Sequence, residues 1–297
     1  MRHRDCIATT REDFDVTHAV ASETGAGKER RLASWLAARG PLLIGFSGGV
    51  DSAYLSCVAV DVLGPDRVLA VIGRSPSYPA EQWDAARRVA TQFGIPVREI
   101  DTRELDDPNY VANPSNRCFF CKSELWSRIV AIAHDEVFAT IVDGTNADDL
   151  TDHRPGAAAG AEHGVLSPLA LLGFTKAEIR ELSRRRGIPT WEQPSSPCLA
   201  SRIPYGTAVT SARLAQIENA ERALRVLGIR GDVRVRHHGD LARVELPAAD
   251  LDAWLVPEAA RRLRGAVSSA AGFARVAIDM RGYRSGSLNV LAGVTAS

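Results

Sequence analysis

Lysine is almost missing from this chain. Of 36 basic residues among 297, only Lys28, Lys122 and Lys176 are lysine. We attribute the arginine excess to genomic base composition, so an arginine cluster carries weight only where a second signal supports it. Net charge is missing too: 36 basic residues balance 36 acidic ones. That balance argues against a nucleic-acid coat or a polybasic membrane binder. No run of 18 apolar residues occurs, which excludes a membrane-spanning helix of ordinary length. The first 20 residues have no apolar core of a secretory signal, so a cytoplasmic location is expected. Cysteine is sparse and odd in number, at positions 6, 57, 118, 121 and 198. An odd count in such a chain speaks against a disulfide framework. A Walker phosphate loop is also absent. TGAGKER at 24–30 lacks a glycine at 22 and has Glu29 where Ser or Thr would be required.

What is present is an ordinary globular composition, 45% hydrophobic and 24% charged, in a length suited to about two domains. Residues 1–30 show no apolar period and are expected to be a disordered extension. From 31 onward, helical and strand patterns alternate. Strands are expected at 41–46, 67–73, 96–100, 137–144 and 165–169. Helices are expected at 31–39, 52–63, 79–93, 119–133, 157–163 and 175–186. This alternation predicts an α/β fold on a parallel sheet over 31–190, with ligands at the carboxyl ends of the strands. Residues 191–206, WEQPSSPCLASRIPYG, have no period and read as an ordered loop or linker carrying Cys198. A smaller α+β domain is expected over 207–285, with a helix at 211–227, strands at 233–238 and 242–247, a helix near 257–264 and a strand at 273–279. Residues 286–297 read as a tail.

SGGVDS at 47–52 lies directly between the first strand and a helix. Gly48 and Gly49 allow a sharp turn that brings backbone N–H groups to an anion. Ser47 and Ser52 add hydroxyls, and the helix N-terminus adds partial positive charge. Asp51 would repel phosphate unless a divalent cation bridged the two, which predicts Mg²⁺. The remaining cysteine signals leave alternatives open. C-x₂-C at 118 and 121 suits a redox pair, two zinc ligands, or two of three thiolates on an iron–sulfur cluster. No second C-x₂-C exists, so a four-cysteine zinc site is excluded. Cys57 reads as a buried core thiol. Arg234 and Arg236 alternate on one strand and so share a face. Trp83, Trp126 and Trp191 read as packing residues, and His237–His238 as a weak metal signal.

SGGVDS after a first buried strand resembles the PP-loop ATP pyrophosphatases, which have an adenine nucleotide alpha-hydrolase-like fold. Those enzymes split ATP between the α and β phosphates and adenylate a substrate oxygen. The resemblance implies that Ser47, Gly48, Gly49, Asp51 and Ser52 hold the pyrophosphate end. It also implies that Ser75 and Gly144 line the nucleotide. The strings SPSYP (75–79), NRCFFCKSEL (116–125), DGTNADDLTDHRPG (143–156), PCLASRIPYG (197–206) and RVRHHGDLARVE (234–245) are similar to one branch. That branch is the LarE family of ATP-dependent sulfur transferases in nickel-pincer cofactor biosynthesis.

The resemblance implies adenylation of pyridinium-3,5-biscarboxylic acid mononucleotide and attack by the Cys198 thiolate. Cleavage of the Cys198 Cβ–S bond then yields a thiocarboxylate and leaves dehydroalanine. A variant within the resemblance uses Cys118, Cys121 and Cys198 to hold a [4Fe–4S] cluster whose open iron carries sulfide. Either way Cys198 is central, and Arg202, four residues on, is expected to lower its thiol pKa. Arg202, Arg234 and Arg236 are implied to bind substrate, with Glu221 and Glu245 as a carboxylate metal site beside them. A homo-oligomer is implied, and nucleic acid is not. The rival readings are a tRNA thiolase on the same fold, which calls for a basic surface and extra zinc cysteines, an amidotransferase, and a non-catalytic nucleotide sensor.

Overall fold

The computed structural model describes residues 25–136, 138–151, 155–194 and 196–284. The expectations for residues 1–24 and 286–297 lie outside the described residues. The first helix, α1, spans Gly25–Ala37 and begins six residues before the expected start at 31. Its extra turn is held by Lys28, which donates to the Gly173 carbonyl at 2.6 Å and pairs with Glu178 at 2.8 Å. Such tertiary anchors are not visible in a search for apolar period.

The sheet contains β1 (Leu42–Gly45), β2 (Val68–Arg74), β3 (Val97–Asp101) and β4 (Thr140–Val142). All pairings are parallel, in the order β3-β2-β1-β4. Both faces are covered, as parallel sheets require. Leu42, Ile44, Ala70 and Ile72 point to one core, while Leu43 and Val71 point to another. The first core is closed by α1, α2 (Val50–Leu63) and α3 (Ala80–Gln92). The second is closed by α4 (Arg117–Asp135) and α5 (Pro155–Glu162). Trp126 of α4 lies on β1 where Gly45 leaves room; a Cβ there would meet its ring at 2.4 Å. Helix α6 (Lys176–Arg185) starts with a reciprocal cap between Thr175 and Glu178, worth about 1 kcal/mol.

The expected strand at 165–169 is a single bridge, Val142 to Leu166. Ser167 and Pro168 end it, because proline has no N–H for a ladder and instead starts a helical turn, Pro168–Leu171.

The second unit packs α7 (Ser211–Val226) and α8 (Pro257–Ala271) on a three-stranded sheet. Its strands are β5 (Arg234–His238), β6 (Leu241–Glu245) and β7 (Arg275–Ile278), in the order β5-β6-β7. The first pair is antiparallel and the second parallel. A small cluster of Tyr110, Leu199, Ala200, Ile203, Val209, Leu214 and Ile217 joins the 197–206 loop to both units. Among the described residues no helix is long and apolar enough to cross a membrane.

Candidate active site

Strand order locates the site. The chain leaves β1 toward β2 on one side, and β4 returns on the other, so the sheet switches direction between β1 and β4. A crevice opens at the carboxyl ends of the strands at such a point. The loops SGGVDS and DGTN leave those two ends.

Gly48 has φ +67°, and a Cβ on it would meet Ala86 Cβ at 2.4 Å and Cα at 2.7 Å. Only glycine allows α3 to approach this closely. Gly49 precedes α2 and offers no side-chain cap, so the first-turn N–H groups of α2 are left for an anion. The loop is braced from within: Ser47 N–H donates to Ser52 Oγ at 3.2 Å, and Ser52 Oγ to the Gly49 carbonyl at 3.2 Å. Tyr78 Oη donates to the Ser47 carbonyl at 2.8 Å. Gly144 presses on the same helix start, where a Cβ would meet Ser52 N at 2.8 Å. Its loop is shaped by Asp143, which accepts from Thr145 Oγ1 at 2.9 Å and Ser167 Oγ at 2.7 Å.

Asp51 pairs with Lys176 Nζ at the start of α6, and Asn146 Nδ2 donates to its other oxygen at 3.4 Å. Lys176 and Asn146 were missed from sequence. The usable signal was scarcity: in an arginine-rich chain the retained lysines sit at special positions. Asp51 is an oxygen donor of the type Mg²⁺ takes, and Lys176 brings a cation to the first turn of α2.

The sulfur loop meets this edge through β2. Leu199 N–H donates to the Ser77 carbonyl at 2.7 Å. Ser77 Oγ lies 2.7 Å from Ser75 Oγ and donates to Glu104 Oε1 at 3.0 Å. Glu104 is 1% exposed, and its second oxygen has no partner among the described residues. Glu104 is a further residue that sequence reasoning missed. We expect Glu104→Gln, which keeps the acceptor for Ser77, to retain sulfur transfer. Glu104→Ala should slow it about tenfold, with pyrophosphate release intact; assaying the two half-reactions separately checks this.

Cys198 is half-buried, Cys121 likewise, and Cys118 is exposed; Cys57 is buried as expected. Cys121 and Cys198 pack against the cluster around Tyr110 and Leu199, and Arg117, next to Cys118 in the chain, is buried. Arg117 donates to the Ala200 carbonyl at 3.2 Å and to Asn113 Oδ1. Burial alone would lower its pKa, yet the charges of Cys198 and Cys118 raise it. Surrounding protein atoms push the Cys118 thiol up, and Cys198 adds to this, while Arg117 and Lys122 pull it down. Burial, then Glu104 and Cys198, push Cys121 up, with Lys122 again opposing. At pH 8 fewer thiolates therefore form at 118 and 121 than on a free cysteine. Iodoacetamide should modify both slowly, and Lys122→Ala should slow them by about threefold more; peptide mass spectrometry as a function of pH reads this out. Among the described residues no group of three His, Cys, Asp or Glu side chains is gathered closely enough to hold a metal ion. The three thiols as placed thus do not form a ligand set for a cluster.

Arg202 spends its donors on a carboxylate and on carbonyls of the loop. Its Nε and Nη2 bind both Glu221 oxygens, at 2.9 and 3.1 Å. Its Nη1 donates to the carbonyls of Pro197 and Cys198, at 2.6 and 3.0 Å. The guanidinium is neutralised by Glu221 and holds the loop by its backbone. Arg236 is likewise engaged, with Glu245 at 2.8 Å and the Ser201 carbonyl at 3.1 Å. Glu245 also accepts from Arg243 at 3.0 Å, and Glu221 from Val235 N–H at 3.0 Å. Both carboxylates expected as metal ligands thus sit in guanidinium pairs. Arg234 is buried over the Tyr283 ring at 4.9 Å. Burial, and then Arg202, lower its pKa.

Residues 36–196 match the family model described as NAD synthase. A pyridinium-3,5-bisthiocarboxylic acid mononucleotide synthase of Lactiplantibacillus plantarum is 35% identical over 268 residues, 90% of this chain and 95% of that protein. The chain belongs to the LarE family of PP-loop enzymes. An uncharacterized Synechocystis protein is 42% identical over 247 residues, covering 83% of this chain and 91% of its own. An ammonia-dependent NAD⁺ synthetase of Pyrococcus horikoshii is 26% identical over 151 residues, half of this chain and 57% of its own. The family model ends at residue 196, before the 197–206 loop and the second unit.

Proposed function

We propose that this protein is an ATP-dependent sulfur transferase that converts a carboxylate of pyridinium-3,5-biscarboxylic acid mononucleotide into a thiocarboxylate. The observation that carries this reading is the Leu199–Ser77 hydrogen bond of 2.7 Å. It fastens the Cys198 loop to the strand edge that also carries Ser75 of the nucleotide site.

The chemistry follows from leaving groups. A carboxylate is a poor electrophile because oxide would have to leave. Its oxygen attacks the α phosphorus of ATP, the α–β bridging P–O bond breaks, and pyrophosphate departs. The first-turn amides of α2, with Ser47, Ser52 and Lys176, stabilise the pyrophosphate charge. Mg²⁺ arriving with ATP would be held by Asp51 and offset charge there. The Cys198 thiolate then adds to the acyl carbon, and the C–O bond to AMP breaks. In the thioester, loss of the Cys198 α proton sends the Cβ–S electrons to sulfur. The products are thiocarboxylate and dehydroalanine at 198. One protein supplies one sulfur, so a dithiocarboxylate consumes two.

The test uses anaerobically purified protein. Pyridinium mononucleotide, and not tRNA, should trigger pyrophosphate release from ATP. Intact mass after turnover should fall by one H₂S, located at residue 198. Full turnover without mass loss, on protein carrying iron, would replace sacrificial sulfur with the three-thiol cluster route. ATP binding with no substrate-dependent pyrophosphate would reduce the protein to a nucleotide sensor.

A further inference from the structure

Two buried polar atoms beside the sulfur loop, Glu104 Oε2 and Tyr110 Oη, have no hydrogen-bond partner among the described residues. Both residues are 1% exposed. A buried polar atom left unmatched costs stability, so its presence needs a reason. The Glu104 carboxylate is already employed, because its other oxygen accepts from Ser77. The Tyr110 hydroxyl is not employed in the free protein.

The place of Tyr110 is closely fixed. It lies in a short helical turn, Pro108–Val111, capped by Asp107, which accepts the Asn109 N–H at 2.8 Å. The sulfur loop is bonded to the same segment. Gly206 N–H donates to the Asn113 carbonyl, and Val209 N–H, just past the loop, to the Val111 carbonyl, both at 2.9 Å. The buried Asn113 amide donates to the carbonyls of Pro204 and Thr207, at 2.8 and 2.9 Å. Next to Cys198, Leu199 is tied to Ser77. Tyr110 and Leu199 share one apolar cluster, and Cys198 packs against it. Burial pushes the Tyr110 pKa up, and the Cys198 charge adds more to this than Cys121 or Glu104 does, with Ser77 opposing. The hydroxyl therefore keeps a hydrogen to donate. A neutral thiol is a weak acceptor and leaves that donor idle, whereas a negatively charged sulfur does not.

We propose that Tyr110 is a catalytic residue whose hydroxyl donates a hydrogen bond to the sulfur of residue 198 when that sulfur carries negative charge. Charge collects there twice: on the attacking thiolate, and on the departing sulfur as the thioester breaks. In the second step the α C–H electron pair forms the Cα=Cβ bond, the proton passes to solvent, and the Cβ–S pair stays on sulfur. Tyr110 transfers no proton and ends unchanged. Its part in thioester cleavage rests on the sulfur transfer proposed above; its bond to the thiolate does not.

The experiment uses Tyr110→Phe in the full-length protein, which deletes one oxygen. The hydroxyl has no partner to lose, so thermal unfolding should fall by no more than about 2 °C. Substrate-dependent pyrophosphate release should stay within about twofold, while thiocarboxylate formation in a single turnover slows at least about tenfold. Alkylation of Cys198 by iodoacetamide, read by peptide mass spectrometry, tests the contact without substrate. Loss of the donor leaves fewer thiolates, each more nucleophilic. The variant should react about threefold more slowly than the parent near pH 7, and faster than the parent near pH 10. Altered access alone would move both rates in one direction. Cys118, Cys121, Arg117 and Tyr205, which also interact with Cys198, are the same in both proteins. A parental rate of thiocarboxylate formation, alkylation rates that do not cross, or a larger fall in melting temperature overturns the proposal. Crossing rates, in a protein whose wild type makes no thiocarboxylate, overturn the proposed function and leave the hydrogen bond standing.

Discussion

Cys198→Ser should leave no thiocarboxylate product while pyrophosphate is still released in a substrate-dependent manner. The variant removes one atom's chemistry and little else. Serine has no sulfur to donate, and its hydroxyl is a weak nucleophile without a base to take its proton. The loop around it does not depend on the thiol. Cys198 is held through its carbonyl by Arg202, and its neighbour Leu199 through the backbone to Ser77. The fold and the adenylation step should therefore survive, with thermal unfolding within about 2 °C of the parent. An acyl adenylate that accumulates and hydrolyses slowly is the expected spectrum in liquid chromatography and mass spectrometry. Thiolated product at the parental level would remove Cys198 from the reaction.

Gly48→Ala should abolish ATP-dependent activity and also lower stability, whereas Gly49→Ala should spare the fold. The two glycines are adjacent but differ physically. At 48 the backbone is left-handed, φ +67°, which costs a non-glycine residue about 1–2 kcal/mol. The new methyl would also run into Ala86 Cβ and Cα at 2.4 and 2.7 Å. Neither atom is the end of a flexible side chain, so α3 or the loop must move, and such overpacking adds about 1–3 kcal/mol. At 49 the nearest atom to a new Cβ is Ser47 Oγ at 3.5 Å. Its effect should be confined to nucleotide affinity, through crowding of the phosphate. Thermal unfolding together with the KM for ATP separates the two. Equal melting temperatures for both variants would contradict this account of the loop.

Much of the fold was legible because its cues are local. Leu42, Ile44 and Val71 form continuous apolar runs, as strands buried on both faces must, and SGGVDS announces the strand-to-helix turn. What was hidden is set by tertiary contact. The start of α1 depends on Lys28 reaching Glu178, 150 residues away. The bridge at Leu166 stops because Pro168 follows. The site was read in the same uneven way. Gly48, Asp51, Gly144 and Cys198 sit in short diagnostic strings. Glu104 and Lys176 do not, and only the folded chain brings them to those strings; Arg117 and Asn146 stand inside such strings, but the contacts they make show only in the folded chain. Arginine was the hardest residue type to read: Arg202 and Arg236 stand at informative positions, and their pairing with Glu221 and Glu245 shows only in the folded chain.

The way the 197–206 loop is moored has a consequence for the life of the molecule. The hydrogen bonds from Arg202, Arg236, Asn113 and Arg117 that secure it end on main-chain carbonyls of the loop, and these do not involve sulfur. A chain that has surrendered its sulfur would keep its shape. Such a spent protein would still grip nucleotide and acid, and so would compete with fresh copies for both. Cells relying on it would have to clear it, or restore its lost atom, at the pace at which product is made.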